Sequence, residues 1–279
     1  MGTSVISRLV FKKSFGWTKD KTVFKKGLEI DIEPGVNLLV GDQGSGKSTL
    51  IELVRTWLEP DKGMSDRMAK RLQRKDVRGT LDVRGKGLDK IRLLALDFEK
   101  DTARTATSFD WGGPIDTVGF LMFANKASHG EANKIALNML LMEVTKDYKE
   151  KGKVKPTVIL LDEPDAALSI ASVLSLHMVL RSLVRLGCQI LVSAHHPFLL
   201  GCFDKVYSLE QKKWTSYADY LQGQVFLGEM ALGPATLFLK HYRSFDKTMK
   251  GLLDKEGREE SPMVKKKTEK KKKKKKKKS

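Results

Sequence analysis

Gly41-Asp42-Gln43-Gly44-Ser45-Gly46-Lys47-Ser48 decides how the rest of this chain is read. It lies between the apolar run Val36-Asn37-Leu38-Leu39-Val40 and the stretch Leu50-Ile51-Glu52-Leu53-Val54. The spacing satisfies G-x-x-x-x-G-K-[ST] in the context such a loop needs, a buried strand before it and a helix after it. The glycines let successive backbone N–H groups curl around phosphate oxygens, and the helix N-terminus adds positive potential. Lys47 is expected to reach the β- and γ-phosphates of a nucleoside triphosphate, and the Ser48 hydroxyl to join a Mg²⁺ shell. Thr49 belongs to the same nucleotide-binding run. ATP and Mg²⁺ are the expected ligands.

A second motif supplies what the loop lacks. Val158-Ile159-Leu160-Leu161 is a pure strand run, and it places Asp162 at a strand end beside the expected loop. Asp162 is expected to hold Mg²⁺ through water, and Glu163 to serve as base or positioner for an attacking water. Ser193-Ala194-His195-His196-Pro197 follows another strand, Gln189 to Val192, which brings an imidazole to the same crevice.

The remaining sequence is consistent with an α/β fold. Buried strands alternating with helices predict a mostly parallel sheet flanked by helices, with an antiparallel N-terminal portion. Strands are expected over Val5 to Phe11 and Val23 to Ile32, an edge pair at Gly79 to Val83 and Lys90 to Asp97, and a strand at Asp204 to Leu209. Ile135, Leu137, Leu140, Leu141 and Val144 recur at helical spacing, so residues 131–150 should form an amphipathic helix. Residues 170–186 form another that stops at Gly187, and residues 217–250 read as helical with breaks. Phe109 to Pro114 reads as a loop inside the irregular stretch 101–130.

The hydrophobic fraction of 41% excludes a globally disordered chain. Two cysteines, Cys188 and Cys202, make neither a disulfide framework nor a metal site. No apolar run approaches the roughly 20 residues needed to span a membrane, and no signal peptide is evident, so a cytoplasmic or nucleoid-associated location is expected. Net charge is +18, of which Lys265 to Ser279 carries +11. Residues 259–279 should be a disordered lysine-rich tail, able to condense on DNA, RNA or another polyanion. Residues 1–258 are expected to be a single ATPase domain.

With these residues in view, the chain resembles the ATP-binding-cassette ATPases, and specifically their soluble branch of chromosome-maintenance, Rad50 and RecF-type proteins. Ser128-His129-Gly130-Glu131 stands where that family carries its signature at a helix start, and Asp162 to Ser169 is similar to its Walker B and D-loop run. His195 matches its switch histidine. Within the branch, the Ser-His-Gly-Glu signature is similar to small stand-alone predicted ATPases.

The resemblance implies a head-to-tail homodimer that binds ATP between the loop of one subunit and Ser128 and Gly130 of the other. Lys47, Glu163 and His195 would act in hydrolysis, and opening and closing would act on nucleic acid in repair, replication or genome defence, with a separate effector subunit as partner. The alternatives are the nucleotide-binding subunit of a membrane transporter, or an ATP-gated regulatory protein with little turnover. His129 and Glu131 depart from the family's glycine and glutamine. Glu99 is the candidate for the family's Q-loop residue, and Phe15 and Trp17 are the candidates for stacking on adenine.

Overall fold

A computed structural model describes residues 5–16, 22–59, 76–97, 129–152, 155–166 and 168–223. Its centre is built from the three runs that the sequence marks as buried. These are Val36–Val40 (β5), Thr157–Asp162 (β8) and Gln189–Ser193 (β9). Every residue of β8 and β9 is buried, which requires protein on both faces and suits inner strands of a parallel sheet. Arg92–Asp97 (β7), Lys205–Ser208 (β10) and Lys213–Ser216 (β11) complete a six-stranded sheet of order β11-β10-β5-β9-β8-β7. All neighbours in it are parallel except β11, which pairs antiparallel with β10.

The N-terminal part forms separate antiparallel sheets. Ile6–Phe11 (β1) lies between Glu29–Asp31 (β4) and Leu81–Gly85 (β6), and Phe15–Gly16 (β2) pairs with Thr22–Phe24 (β3). The expected single strand Val23 to Ile32 is therefore two strands, broken at Gly27, whose φ of 83° is a left-handed turn that favours glycine. The expected edge pair of residues 79–83 and 90–97 does not form. The first segment joins β1, and the second runs parallel to β8 at the sheet edge. A short hairpin pattern and two strands bound for different sheets look alike in sequence, because the turn residues between them are the same.

Gln189 ties the two sheets together. Its Oε1 accepts from the N–H of Val5 at 3.2 Å and of Ile6 at 2.8 Å, and its Nε2 donates to the carbonyls of Ile6 and Glu33 at 2.8 and 2.9 Å. A buried amide fully engaged in this way satisfies backbone groups of the N-terminal strand and of Glu33 from the start of β9.

Six helical stretches are described, the last of them over residues 217–223. Lys47–Leu58 (α1) packs against β6, β8 and β9 and buries Leu50, Leu53 and Val54 completely. Each such side chain contributes about 1.5–3 kcal/mol on leaving water. Val77–Thr80 (α2) is one turn, and His129–Lys151 (α3) packs on Ile170–Arg185 (α4). Ser169 starts α4, its Oγ accepting from the Ser172 N–H. Pro197–Leu200 (α5) follows β9. Residues Met1–Leu221 form one compact unit and Gln222–Ser279 a second, of which only Gln222 and Gly223 are described. Most of the expected helical stretch 217–250 and the whole lysine tail lie outside the described residues.

His177 on α4 is 3% exposed, and neither ring nitrogen has a hydrogen-bond partner among the described residues. Burial, with Arg181 adding to it, pushes its pKa down from 6.5 to about 4. At pH 7 the ring is neutral folded and mostly neutral unfolded. As pH falls through 6.5 the unfolded chain takes a proton that the folded chain refuses until about pH 4. His177 should therefore cost about 3 kcal/mol of stability between those limits. Urea unfolding of wild type and His177→Leu at pH 7.5 and 4.5 checks this. The variant should lose clearly less stability on acidification, and equal losses would contradict the assignment.

Candidate active site

The loop after β5 is shaped by its glycines. Gly41, Gly44 and Gly46 have φ of 152°, 80° and 103°. At Gly46 a Cβ would stand 2.4 Å from Val23 Cγ1 and 3.2 Å from Phe24 Cζ, so only glycine fits between the loop and β3. Lys47 is 4% exposed, and its Nζ donates to the carbonyls of Gly41 at 2.8 Å and Asp42 at 3.0 Å. Asp42, Gln43, Gly44 and Ser48 are exposed on the open side.

Strand order brings two other strand ends to this loop. β9 lies between β5 and β8, and Ser193 is the register partner of both Leu39 and Asp162. Ser193 Oγ donates to Asp162 Oδ1 at 2.5 Å and accepts the Glu163 N–H at 2.9 Å. Glu163 has a φ of 54°, rare for a residue with a side chain and the kind of strain that concentrates at functional sites. Its Oε1 lies 2.8 Å from His195 Nε2. Asp165 Oδ2 accepts the N–H of His195 at 2.8 Å and of His196 at 2.6 Å. The two histidines separate: His195 faces Glu163, and His196 Nδ1 accepts the Phe198 N–H at the start of α5.

The charges are arranged around Lys47. Burial lowers its pKa, while Glu163, Glu210, Asp162 and Asp42, in that order, favour its charged form. A desolvated ammonium ringed by carboxylates and open carbonyls is set up to exchange partners when a polyanion arrives. The loop fits a nucleotide by its own features: Ser45 Oγ is buried without a hydrogen-bond partner among the described residues, and the Gly46 cradle has no room for a Cβ. No group of three or more His, Cys, Asp or Glu among the described residues could hold a metal alone. One hydroxyl (Ser48) and one carboxylate (Asp162) instead match Mg²⁺, which is commonly held by one or two carboxylates together with substrate phosphates.

The structure thus brings together the loop 41–49, Asp162, Glu163 and His195. Gly130 lies in the first turn of α3, while Ser128, Glu99 and Trp17 lie outside the described residues. Phe15 is 9% exposed, with its ring stacked toward Phe24 at 6.4 Å, so it belongs to the core rather than to an open face for adenine. Asn133 on α3, 1% exposed, donates through Nδ2 to the Ala166 carbonyl at 3.1 Å, linking α3 to the segment after Glu163. Ser193 and Asp165 enter the sequence motifs only as members of longer runs, without a role of their own, and Glu210 is not singled out there. The available signal was weak: each is a polar residue at or just past the end of an apolar strand.

The sequence profile of the AAA domain family matches residues 14–158, just over half of the chain. The zinc import ATP-binding protein ZnuC of Vibrio vulnificus strain YJ016 is 25% identical over 202 residues, covering 70% of each chain. Among solved structures, cbiO1 of Clostridium perfringens, part of the ABC transporter complex cbiONQ, is 17% identical with a TM-score of 0.43, covering 82% of this chain and 96% of that one. UvrA2 of Deinococcus radiodurans is 16% identical with a TM-score of 0.46, covering 75% of this chain and 35% of that one.

Asp165→Ala should lower ATP turnover at least about tenfold and stability by about 1–2 kcal/mol, because the part-buried N–H groups of His195 and His196 lose a charged acceptor. Asp165→Asn, which keeps an acceptor oxygen, should recover most of both. Steady-state turnover and thermal melts of the two variants check this, and unchanged turnover in Asp165→Ala would contradict it.

Proposed function

The chain belongs to the AAA domain family and hydrolyses ATP, and on that premise we propose that it works as a head-to-tail pair which closes on ATP and parts after hydrolysis. The observation that carries the hydrolytic step is the convergence of Lys47, Asp162, Glu163 and His195 at three neighbouring strand ends. The pairing rests on the resemblance of Ser128-His129-Gly130-Glu131 to the cassette signature. Lys47 exchanges its two carbonyl partners for the β- and γ-phosphoryl oxygens. Backbone N–H groups of residues 44–49 hold the remaining phosphate oxygens at the start of α1. Mg²⁺ held by Ser48 and Asp162 would neutralise charge between the phosphates and polarise the bond to be cleaved. Glu163 orients the attacking water and takes its proton, while His195 holds the Glu163 carboxylate in place and faces the γ-phosphate. Ser128 and Gly130 of a second copy complete the site, so hydrolysis in the interface loosens it. Ser193 and Asp165 fix the positions of these groups.

The work coupled to this cycle is best read as that of a nucleotide-binding subunit acting on a membrane permease. The support is the likeness to zinc import ATP-binding proteins at 25% identity over 70% of the chain. In this reading the permease is a separate chain; among the described residues no helix is long and apolar enough to cross a membrane. One observation favours a second reading: twelve lysines between Lys265 and Lys278 suit a polyanion. In that reading the likeness to the soluble branch, carried by Ser128-His129-Gly130-Glu131, extends to function, and the target is DNA or RNA, with any effector as a separate subunit.

Glu163→Gln should bind ATP with turnover lowered at least about a hundredfold and accumulate as a dimer. Size-exclusion chromatography with ATP checks this, and a purely monomeric profile for that variant would contradict the pairing. Turnover of the full chain and of a form lacking residues 265–279, each with and without double-stranded DNA, single-stranded DNA and RNA, separates the two targets. Turnover indifferent to all three nucleic acids supports the permease reading. Stimulation that disappears with the tail or at high salt supports the nucleic-acid reading.

A further inference from the structure

β10 runs beside β5, and the residues just past it reach the phosphate loop. The Leu209 N–H donates to the Val40 carbonyl at 3.0 Å, carrying the pairing to the last residue before Gly41. Glu210 then turns its carboxylate onto the loop. Its Oε1 accepts the Asp42 N–H in a short contact, and a Cβ at Gly41 would stand 2.6 Å from that oxygen. Gly41 therefore has no room for a side chain between this carboxylate and Ser45 Oγ, which lies 2.7 Å from the same point. Oε2 accepts from Ser208 Oγ at 3.1 Å, and the same hydroxyl accepts the Gln211 N–H at 3.2 Å, so the carboxylate is braced from its own turn. Lys212 closes the turn at a φ of 55°, with its Nζ 5.1 Å from the centre of the Phe24 ring, the ring that bounds Gly46. The turn 208–212 thus touches the loop at Gly41 and Asp42 and reaches the ring behind Gly46.

We propose that Glu210 is a positioning residue of the nucleotide site: its hydrogen bond to the Asp42 N–H fixes the mouth of the loop, and its negative charge limits the affinity for polyphosphate. The inference rests on the loop 41–48 being the nucleotide site. The physical argument has two parts. A glycine-rich loop has many conformations, and an anchored N–H at its second residue removes some of them before the ligand arrives. An anion fixed at the mouth of a site for a polyanion repels it, so its charge weakens binding and hastens release of the product. Glu210 is also one of the four carboxylates that favour the charged form of Lys47, against the burial that lowers its pKa.

Two substitutions separate these parts. Glu210→Gln keeps an acceptor for the Asp42 N–H and removes the charge. Glu210→Ala removes both. Binding of fluorescent ATP and ADP analogues to the full chain, with steady-state kcat and KM for ATP alongside, reads them out. Glu210→Gln should bind ATP about three- to tenfold more tightly than wild type, the gain being larger for ATP than for ADP, with KM reduced and kcat within about twofold. Glu210→Ala should bind at least about fivefold more weakly than Glu210→Gln, through loss of the anchor. Should the alanine form fail to fold, Glu210→Asp, which keeps the charge but shortens the reach, should bind more weakly than wild type. Binding by Glu210→Gln equal to or weaker than wild type overturns the charge role. Equal binding by Glu210→Gln and Glu210→Ala, or by Glu210→Asp and wild type, overturns the anchor. Wild type that binds neither analogue would overturn the assignment of the loop itself, an outcome distinct from failure of the Glu210 variants alone.

Discussion

The parallel register of β5, β9 and β8 sets where chemistry can occur in this chain. Ser193 on the middle strand is opposite Leu39 on one side and Asp162 on the other, so the three strands end level with one another. The phosphate loop, the acidic pair and the histidine all leave the sheet at that level, in a crevice that a parallel sheet provides at its carboxyl edge. A shift of β9 by one residue would reverse the faces of its side chains and remove the Ser193 hydroxyl from both Asp162 and Glu163. The complete burial of β8 and β9 resists such a shift.

Around that crevice polar contacts replace loop rigidity. Ser193 holds the backbone of Glu163 in its left-handed conformation, Asp165 holds the backbone of His195, and the Glu163 and His195 side chains then meet at 2.8 Å. The buried Lys47 ammonium is stabilised by surrounding carboxylates and two carbonyls. Each of these groups can exchange a protein partner for a phosphate oxygen or water with little movement of the sheet. That economy of motion suits a site in which the larger change is the approach of a second subunit.

Much of this was legible in the sequence, for physical reasons. The inner strands announce themselves because burial on both faces demands unbroken apolar runs, and the glycine spacing of residues 41–46 is demanded by close backbone approach. The catalytic candidates follow because each ends such a run. The roles of Ser193, Asp165 and Glu210 were not legible, since they depend on strand order: Ser193 matters because β9 lies between β5 and β8, and Glu210 because β10 lies beside β5. The separation of β6 from β7 into different sheets depends on strand order in the same way. An aromatic near the N-terminus such as Phe15 reads the same in sequence whether it faces adenine or, as here, the Phe24 ring.

The central claim is that the nucleotide site is composite, half of it supplied by each of two copies. Mixed dimers test it most directly. Lys47→Ala disables the loop, and Ser128→Arg disables the segment that would close the partner's site. Each variant alone should show negligible ATP turnover. Mixed in equal amounts they should recover activity, because a head-to-tail pair then contains one site with both halves intact. Full turnover by Ser128→Arg alone, or a mixture no more active than its two components, would contradict the account.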